Sequence, residues 1–123
     1  MGAIKRLPDS EFEIMEIIWE GSPPMTTLQI MSKMRPDRDI KLQTLLTMLL
    51  RLVEKGFLIS ERVGRERSFK PIVSKHDYMH VETETFMERH YIKSIGNLIT
   101  TFYQDRQLSS EDLKELNDLL ADL

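Results

Sequence analysis

The segment from Lys41 to Lys55 constrains the fold more than any other part of the sequence. Its apolar residues gather on one side of a helical wheel and its polar residues on the other, as in an amphipathic helix. Gly56 follows directly and suits the C-terminal cap, where glycine adopts the left-handed conformation at little cost. The apolar side consists of Leu42, Leu45, Met48, Leu49, Leu52 and Val53, and the polar side of Gln43, Thr44, Thr47, Arg51 and Glu54.

The polar side of this helix permits two interpretations. Like most amphipathic helices it can face water, or it can read nucleic acid, because Gln, Thr and Arg side chains reach base edges and phosphates in a major groove. Leu46 and Leu50 lie at the edges of the polar stripe, where they would contact thymine methyl groups or a neighbouring loop. The candidate DNA contacts of this helix are Lys41, Gln43, Thr44, Thr47 and Arg51.

Two helices are predicted upstream. The first spans residues 9–20, with Asp9 or Ser10 as its N-cap, capping-box spacing between Ser10 and Glu13, and Gly21 as its stop. The second begins at Thr26 or Thr27 and ends before Pro36. The predicted apolar contacts are Phe12, Met15, Ile18 and Trp19, then Leu28, Ile30, Met31 and Met34; Glu13, Glu16 and Glu20 predict a solvated face that is turned away from DNA.

The segment after Gly56 has the pattern of a β-hairpin. Two runs that contain apolar residues, 57–63 and 67–72, flank a turn at Gly64. Three helices followed by a hairpin with a basic tip is the order of a winged helix–turn–helix. The tip arginines are therefore predicted to approach phosphates or the minor groove, although cations also serve on edge strands to prevent aggregation. These candidates are Arg62, Arg65 and Arg67.

The last third of the sequence predicts helices again. Ser74 caps a helical stretch from about Lys75, a break falls near residues 105–107, and Ser109 caps a final helix with Asp112 in a capping-box position. Their apolar stripes exceed what a lone helical hairpin can bury, so we expect pairing with a second copy; packing against the chain's own winged helix is the alternative. The predicted dimerisation residues are Ile95, Leu98, Ile99, Phe102, Leu113, Leu116 and Leu120, with Leu119 and Leu123 completing the last stripe.

The predicted fold is mainly α (α+β), with a winged-helix DNA-binding domain in residues 1–73 and a helical dimerisation domain in residues 74–123. The charge distribution agrees with this division. Residues 1–75 carry 13 Lys and Arg against 10 Asp and Glu, whereas residues 76–123 carry 4 against 10. Such asymmetry hints at a polyanion-binding module joined to an acidic segment.

Composition excludes several classes of protein. The chain has no cysteine, so disulfides, thiolate metal sites and thiol catalysis are ruled out. No apolar run approaches the roughly 18 residues that span a bilayer, and residues 1–8 lack a signal core, so we expect a cytoplasmic protein without membrane insertion. No nucleophile–base motif or Gly-rich phosphate loop appears, which predicts that the chain is not an enzyme and needs no cofactor.

Two other functions stay open. The modest positive charge of the N-terminal part is compatible with a winged-helix module that binds proteins and no DNA. A metal sensor is the other possibility, since His76 and His80 are one helical turn apart and two histidines so spaced can hold Zn²⁺. Asp77, Glu84 and His90 lie nearby in the sequence, but no motif fixes a third ligand, so no metal site is assigned.

Two segments resemble the penicillinase-repressor (BlaI/MecI-type) family of winged-helix regulators. They are residues 11–19, EFEIMEIIW, and residues 44–58, TLLTMLLRLVEKGFL, and the resemblance spans about Leu7 to Leu120. It implies a homodimeric repressor that binds palindromic operators. In the β-lactam systems of this family, a membrane sensor-protease signals cleavage of the repressor within its dimerisation helices, which releases the DNA. A sensor-protease, or the protease it signals through, is thus an implied partner.

The resemblance also implies roles for particular residues. It makes Gln43, Thr44, Thr47 and Arg51 the DNA-contacting positions of the helix, with Arg65 or Arg67 from the hairpin. Leu46 stands where a basic residue is common in the family, so one contact is expected to be lost. The segment that matches the cleavage site includes Thr101 and Phe102, and Thr101 replaces the Asn of the staphylococcal proteins. Copper-responsive relatives carry a C-terminal cysteine cluster, which this chain lacks.

Overall fold

The computed structural model describes residues 3–90 and 94–122, so Leu123 and residues 91–93 of the predicted helical third lie outside the described residues. The described part is mainly helical with one small sheet, as predicted. The chain divides into two compact units, Met1–Thr83 and Glu84–Leu123. In chain order the elements are α1 (Asp9–Glu20), β1 (Met25–Thr26), α2 (Thr27–Lys33), α3 (Leu42–Glu54), β2 (Leu58–Val63), β3 (Glu66–Pro71), α4 (Lys75–Arg89), α5 (Ile95–Gln104) and α6 (Ser110–Ala121).

The first unit is built around one apolar core. Leu45, Leu49 and Leu52 of α3 are fully buried, as the helical wheel predicts, and each contributes about 1.5–3 kcal/mol by burial. Two predicted apolar contacts are wrong: Leu42 is 45% exposed and Leu28 is 63% exposed. Both stand in the first turn of their helices, outside the core, which consists of Leu7, Ile14, Met15, Ile18, Met25, Ile30, Met34, Leu45, Leu49, Leu52, Phe57, Leu58, Phe69 and Tyr78.

The sheet has three antiparallel strands in the order β1-β3-β2. The predicted hairpin is confirmed, and Gly64 at its turn has a φ of 65°, the left-handed conformation that a tight two-residue turn needs. Strand β1 is the part that the sequence pattern missed. Its Met25 pairs with Phe69 across the sheet and its Thr26 pairs with Ser68, so the hairpin is tied to the segment that leads into α2.

The cap of α1 differs from the prediction. The helix begins at Asp9 with Pro8 as its N-cap, and no side chain caps it. The Pro8 carbonyl instead accepts hydrogen bonds from the N–H groups of Glu11, at 3.1 Å, and Phe12, at 2.9 Å. Asp9 and Ser10 therefore lie inside the helix, and the expected capping box between Ser10 and Glu13 does not form because Ser10 is already one residue past the start.

Tyr78 fastens the beginning of α4 to the first unit. Its buried ring stacks on Phe12 at a centroid distance of 5.6 Å and contacts the rings of Trp19 and Phe57. Its hydroxyl accepts a hydrogen bond from the Leu7 N–H at 2.8 Å and donates one to the Glu82 carboxylate. Tyr78 belongs to the first compact unit, which extends to Thr83. Whether DNA binding belongs to residues 1–73 and dimerisation to residues 74–123 stays a prediction.

Because Tyr78 is buried, we expect the stability of the fold to decrease as the pH rises through the alkaline range. Desolvation, and then the hydrogen bond to Glu82, raise the pKa of Tyr78 from 10.0 to about 12. When the pKa of a group is higher in the folded state than in the unfolded state, the group stabilises the fold at pH values below its unfolded-state pKa. This contribution is lost as the pH rises through its folded-state pKa. We therefore expect the free energy of unfolding in urea to fall between pH 10 and 12 less steeply in Tyr78→Phe than in wild type. Equal slopes would show that this hydroxyl is not linked to folding.

The second unit contains α5 and α6. The Ser94 hydroxyl caps α5 by accepting from the Asn97 N–H at 3.2 Å. The predicted break near residues 105–107 is confirmed, with Arg106 in the left-handed region at φ 58°. The predicted capping box of α6 is also confirmed: Ser109 and Asp112 each accept from the other's N–H, at 3.0 and 2.9 Å. These bonds to Ser109 hold the pKa of the Asp112 carboxyl below its usual value.

Candidate nucleic-acid interface

Helix α3 presents opposite faces to the core and to the surface. Its buried leucines anchor it, while the side chains of Gln43, Thr44, Thr47 and Arg51 are all exposed. The Thr47 hydroxyl donates to the Gln43 carbonyl at 3.0 Å, which leaves its acceptor lone pairs directed outward. No residue that the structure describes forms an ion pair with Arg51. The polar stripe predicted to read DNA is thus accessible along the helix.

An ion pair ties the C-terminal end of α3 to α1. Lys55 Nζ bonds to Glu11 Oε1 of α1 at 2.6 Å, and Glu11 is almost fully buried. A binding face must be preorganised if its side chains are to meet a ligand at fixed spacing, and this ion pair, together with the buried leucines of α3, helps to fix the helix in place.

The hairpin carries three arginines beside α3. Arg62 and Arg67 are directly opposite each other on β2 and β3, and Arg65 lies in the turn between the strands. Like charges that face each other across strands destabilise a hairpin, and this register places two arginines side by side. Lys70 pairs instead with Glu61, at 3.7 Å. Within the described ranges, no carboxylate lies within 4.0 Å of Arg62, Arg65 or Arg67.

The predicted DNA contacts fall into three places. Gln43 and the three hairpin arginines share a cavity of about 690 Å³ between α3 and the hairpin. Lys41 and Thr44 line a second cavity, of about 650 Å³, beside the turn before α3. Thr47 and Arg51 line neither cavity and lie on the open surface of α3. The first cavity also contains residues that were not predicted to contact DNA, namely Thr26, Thr27, Leu28, Leu42 and Glu66.

The acidic face of α1 is neutralised within the protein. Glu13 lies 3.5 Å from Arg35 and 3.4 Å from Arg38, both of which belong to the segment between α2 and α3. Lys75 lies within 4.0 Å of both Glu16 and Glu20. Glu13 is therefore less solvated than predicted, whereas the Glu20 side chain is 70% exposed, as predicted. These pairs also hold Arg35, Arg38 and Lys75 near α1.

The residues predicted for dimerisation lie in the second unit. Ile95 and Leu120 are 57% and 63% exposed, and Phe102 and Leu113 are also exposed. Ile99, Phe102 and Leu116 line a shared cavity of about 570 Å³ between α5 and α6, and Leu98 is partly buried. No residue of α5 or α6 among those described is buried, so these two helices leave large apolar side chains uncovered.

The predicted cleavage site lies inside a helix. Thr101 and Phe102 belong to α5, and both are exposed. The Thr101 hydroxyl donates to the Asn97 carbonyl at 2.9 Å, a bond within the same helix. A protease that binds its substrate in an extended conformation would need α5 to open at this point.

The described residues offer neither a cluster of metal ligands nor a helix that could span a membrane. In the part of the chain that the structure describes, no three His, Cys, Asp or Glu side chains are grouped so that they could hold a metal ion. His76 and His80 therefore have no third ligand from those residues. The described helices include none that is long and apolar enough to cross a bilayer.

Three helices around a core, followed by a hairpin that flanks an exposed polar face of α3, define a winged helix–turn–helix. Residues 7–122 match the family model described as the penicillinase repressor. The chain is also 30% identical over 122 residues to the penicillinase repressor of Bacillus licheniformis, in a match that covers 99% of this chain and 94% of that protein. The chain belongs to the penicillinase repressor family, which consists of transcriptional repressors and not of enzymes.

Solved structures support the same fold. The DNA-binding domain of the repressor BlaI is 32% identical and superposes with a TM-score of 0.54, covering 63% of this chain and 94% of that one. The monomeric form of Bacillus licheniformis BlaI, in complex with the blaP half-operator, has the same identity and coverage and a TM-score of 0.52. The regulatory protein MecI of Mammaliicoccus sciuri is 24% identical over 114 residues, or 93% of this chain and 92% of that protein. The predicted family and winged-helix fold are confirmed.

Proposed function

We propose that this protein is a homodimeric transcriptional repressor that binds palindromic operator DNA in the cytoplasm. The observation that carries the proposal is the exposed polar stripe of α3 beside a hairpin whose arginines have no acidic partner among the described residues. The relative solved with a half-operator has the same fold, which supports placing DNA against this face. Family membership supports repression as the outcome of that binding.

In this proposal α3 enters the major groove and the hairpin contacts the backbone. Arg51 and Gln43 have the side chains that form paired hydrogen bonds with guanine and adenine edges, respectively. Thr44 and Thr47 bond to either bases or phosphates, and Lys41, which precedes the helix, neutralises a phosphate. Arg62, Arg65 and Arg67 bind phosphates or enter the adjacent minor groove, so each contributes affinity with little sequence preference.

The second unit supplies the dimer. Its exposed leucines and Phe102 are large apolar side chains on helices with no buried residue among those described, and burial against a second copy would remove them from water. A twofold axis through such an interface would repeat the α3 reading face once for each half of a palindrome.

Release of DNA by proteolysis is the regulatory part of the proposal. The bond between Thr101 and Phe102 lies in α5, among the proposed dimerisation residues. Cutting it would detach α6 and reduce the interface that holds the two copies together. The partner in this step would be a membrane sensor-protease or the protease it signals through, as in the β-lactam systems that the family resemblance implies.

The contribution of the hairpin can be tested by salt dependence. Replacing Arg65 by Ala removes one phosphate contact, and each such contact adds about 0.9 to the slope of log K against log salt concentration. We therefore expect Arg65→Ala to lower that slope by about one and to weaken binding to genomic fragments and to a selected operator alike. Binding is measured by gel shift over a series of salt concentrations.

The matched control is Lys114→Ala, which removes one exposed cation from the second unit and should leave the slope unchanged. An unaltered slope in Arg65→Ala would contradict a phosphate contact at this position. If the wild-type protein bound no DNA at any salt concentration, the proposed function would be wrong and a winged helix that binds only proteins would be favoured.

A further inference from the structure

The cavity between α3 and the hairpin is lined by four leucines, of which Leu28 and Leu42 have no place among the proposed DNA contacts. We name the apolar lining of this cavity the leucine groove; its residues are Leu28, Leu42, Leu46 and Leu50. Leu42, Leu46 and Leu50 follow one another at four-residue intervals and so share one flank of α3. Exposed apolar surface beside polar residues is characteristic of a ligand-binding groove, and the volume of about 690 Å³ is within the range of small-molecule sites.

Positively charged side chains lie beside these leucines. Arg62, Arg65 and Arg67 line the same cavity, and Glu66 is the single carboxylate among the described residues that line it. Arg62 and Arg67 are paired across the strands, so an anion between them would relieve their mutual repulsion. A cavity lined by both apolar and cationic side chains complements a molecule with one apolar part and one negatively charged end.

We propose that the leucine groove binds an amphipathic organic anion, a carboxylate on an unbranched apolar chain, and that this ligand competes with DNA. The chain would lie against the leucines, and the carboxylate would accept hydrogen bonds from the hairpin arginines. The competition rests on the proposed function, because the ligand would occupy the same arginines; the binding itself does not.

Ligand binding is tested first without DNA. Sodium decanoate, kept below its micelle concentration, is titrated into the full chain with ¹³C-labelled leucine methyl groups, and its affinity is measured by calorimetry. We expect saturable binding with shifts of the Leu46 and Leu50 methyl resonances. Each CH₂ contributes to burial, so octanoate should bind up to about fifteenfold more weakly than decanoate. Acetate supplies the carboxylate without the long apolar chain, and decan-1-ol supplies the chain without the carboxylate. Both should bind much more weakly than decanoate.

Variants locate the site. Leu46→Gln and Arg65→Ala are each expected to weaken decanoate binding by about tenfold, because one loses the apolar contact and the other a charge-assisted hydrogen bond. Ile72→Gln, which changes an exposed apolar residue outside the groove, should bind decanoate like wild type. Equal affinity in Leu46→Gln and wild type would overturn the proposal, as would the absence of saturable binding. If the leucine methyl resonances shifted with protein concentration in the absence of decanoate, the groove would be a self-association surface, and the proposal would be overturned.

Competition is measured separately, by adding decanoate to a preformed complex with genomic DNA fragments. Release of DNA at concentrations that saturate the groove is the expected result. Saturable decanoate binding without any release would contradict the competition while leaving the site intact. Methyl shifts with duplex DNA but none with decanoate would show that the groove serves DNA alone, which contradicts the proposal and supports the proposed function.

Discussion

Leu120→Asp should weaken binding to a full operator by about 10²–10⁴-fold and leave binding to a half-operator unchanged. Leu120 is 63% exposed in the described chain, so the substitution does not disturb the core. In a dimer it would place a carboxylate in an apolar interface, where burying a charge is costly. In a dimer, binding of one copy raises the effective concentration of the second copy at the other half-site. Loss of the dimer removes this gain, which accounts for the expected decrease in affinity of about 10²–10⁴-fold. Affinity is measured on sites selected from random duplexes and on the same sites cut at their centre.

The matched control is Asn117→Asp, which adds the same charge to an exposed position on the same helix. It should leave both the dimer and operator affinity close to wild type, as followed by sedimentation. If Leu120→Asp sedimented as a dimer and bound the full operator normally, Leu120 would not belong to the interface. A wild-type protein that sedimented as a monomer would contradict the proposed homodimer itself.

Arg51→Ala should weaken binding to a selected operator by roughly 5–150-fold, the loss expected for one pair of hydrogen bonds to a base. Arg51 is exposed on α3 and has no ion-pair partner among the described residues, so its removal costs the fold little. Binding to random duplexes should fall much less, because non-specific affinity depends on phosphate contacts. The measurement is the half-saturation concentration at fixed salt on both kinds of DNA.

Arg51→Lys separates charge from hydrogen-bond geometry. Lysine keeps the positive charge but lacks the planar fork of donors, so a base contact predicts that Arg51→Lys resembles Arg51→Ala on the operator and wild type on random DNA. Equal losses on the two kinds of DNA for Arg51→Ala would indicate a phosphate contact instead. An operator affinity that stayed at the wild-type value would mean that Arg51 does not face DNA.

The sequence predicted those parts of the fold that depend on local periodicity. The stripe of Leu45, Leu49 and Leu52, the turn at Gly64 and the cap at Ser109 each follow from neighbours within one or two helical turns. Strand β1 was missed because two residues carry no alternation, and its pairing with Phe69 is between residues distant in the chain. The cap of α1 was misplaced because the backbone of Pro8, not a side chain, begins that helix.

The candidate site was predicted less completely than the fold. The polar stripe of α3 follows from helical geometry, and the structure exposes it as expected. The opposition of Arg62 to Arg67 depends on hairpin register, which composition does not specify. The leucine groove needs α2, α3 and the hairpin together. The periodic pattern alone predicted that Leu42 lies in the core. A helical wheel shows which side of a helix is apolar but not how far neighbouring elements cover it, and Leu42 in the first turn of α3 is left exposed.

The opposition of Arg62 and Arg67 gives salt two antagonistic effects on this repressor. In the free protein, added ions would screen the repulsion between Arg62 and Arg67 and so stabilise the hairpin. In the proposed complex with DNA, the same ions would compete with these arginines for phosphate and favour dissociation. If the hairpin binds DNA as proposed, repulsion between the two arginines would be strongest in dilute buffer, where DNA would bind most tightly, and an approaching polyanion would reduce that repulsion.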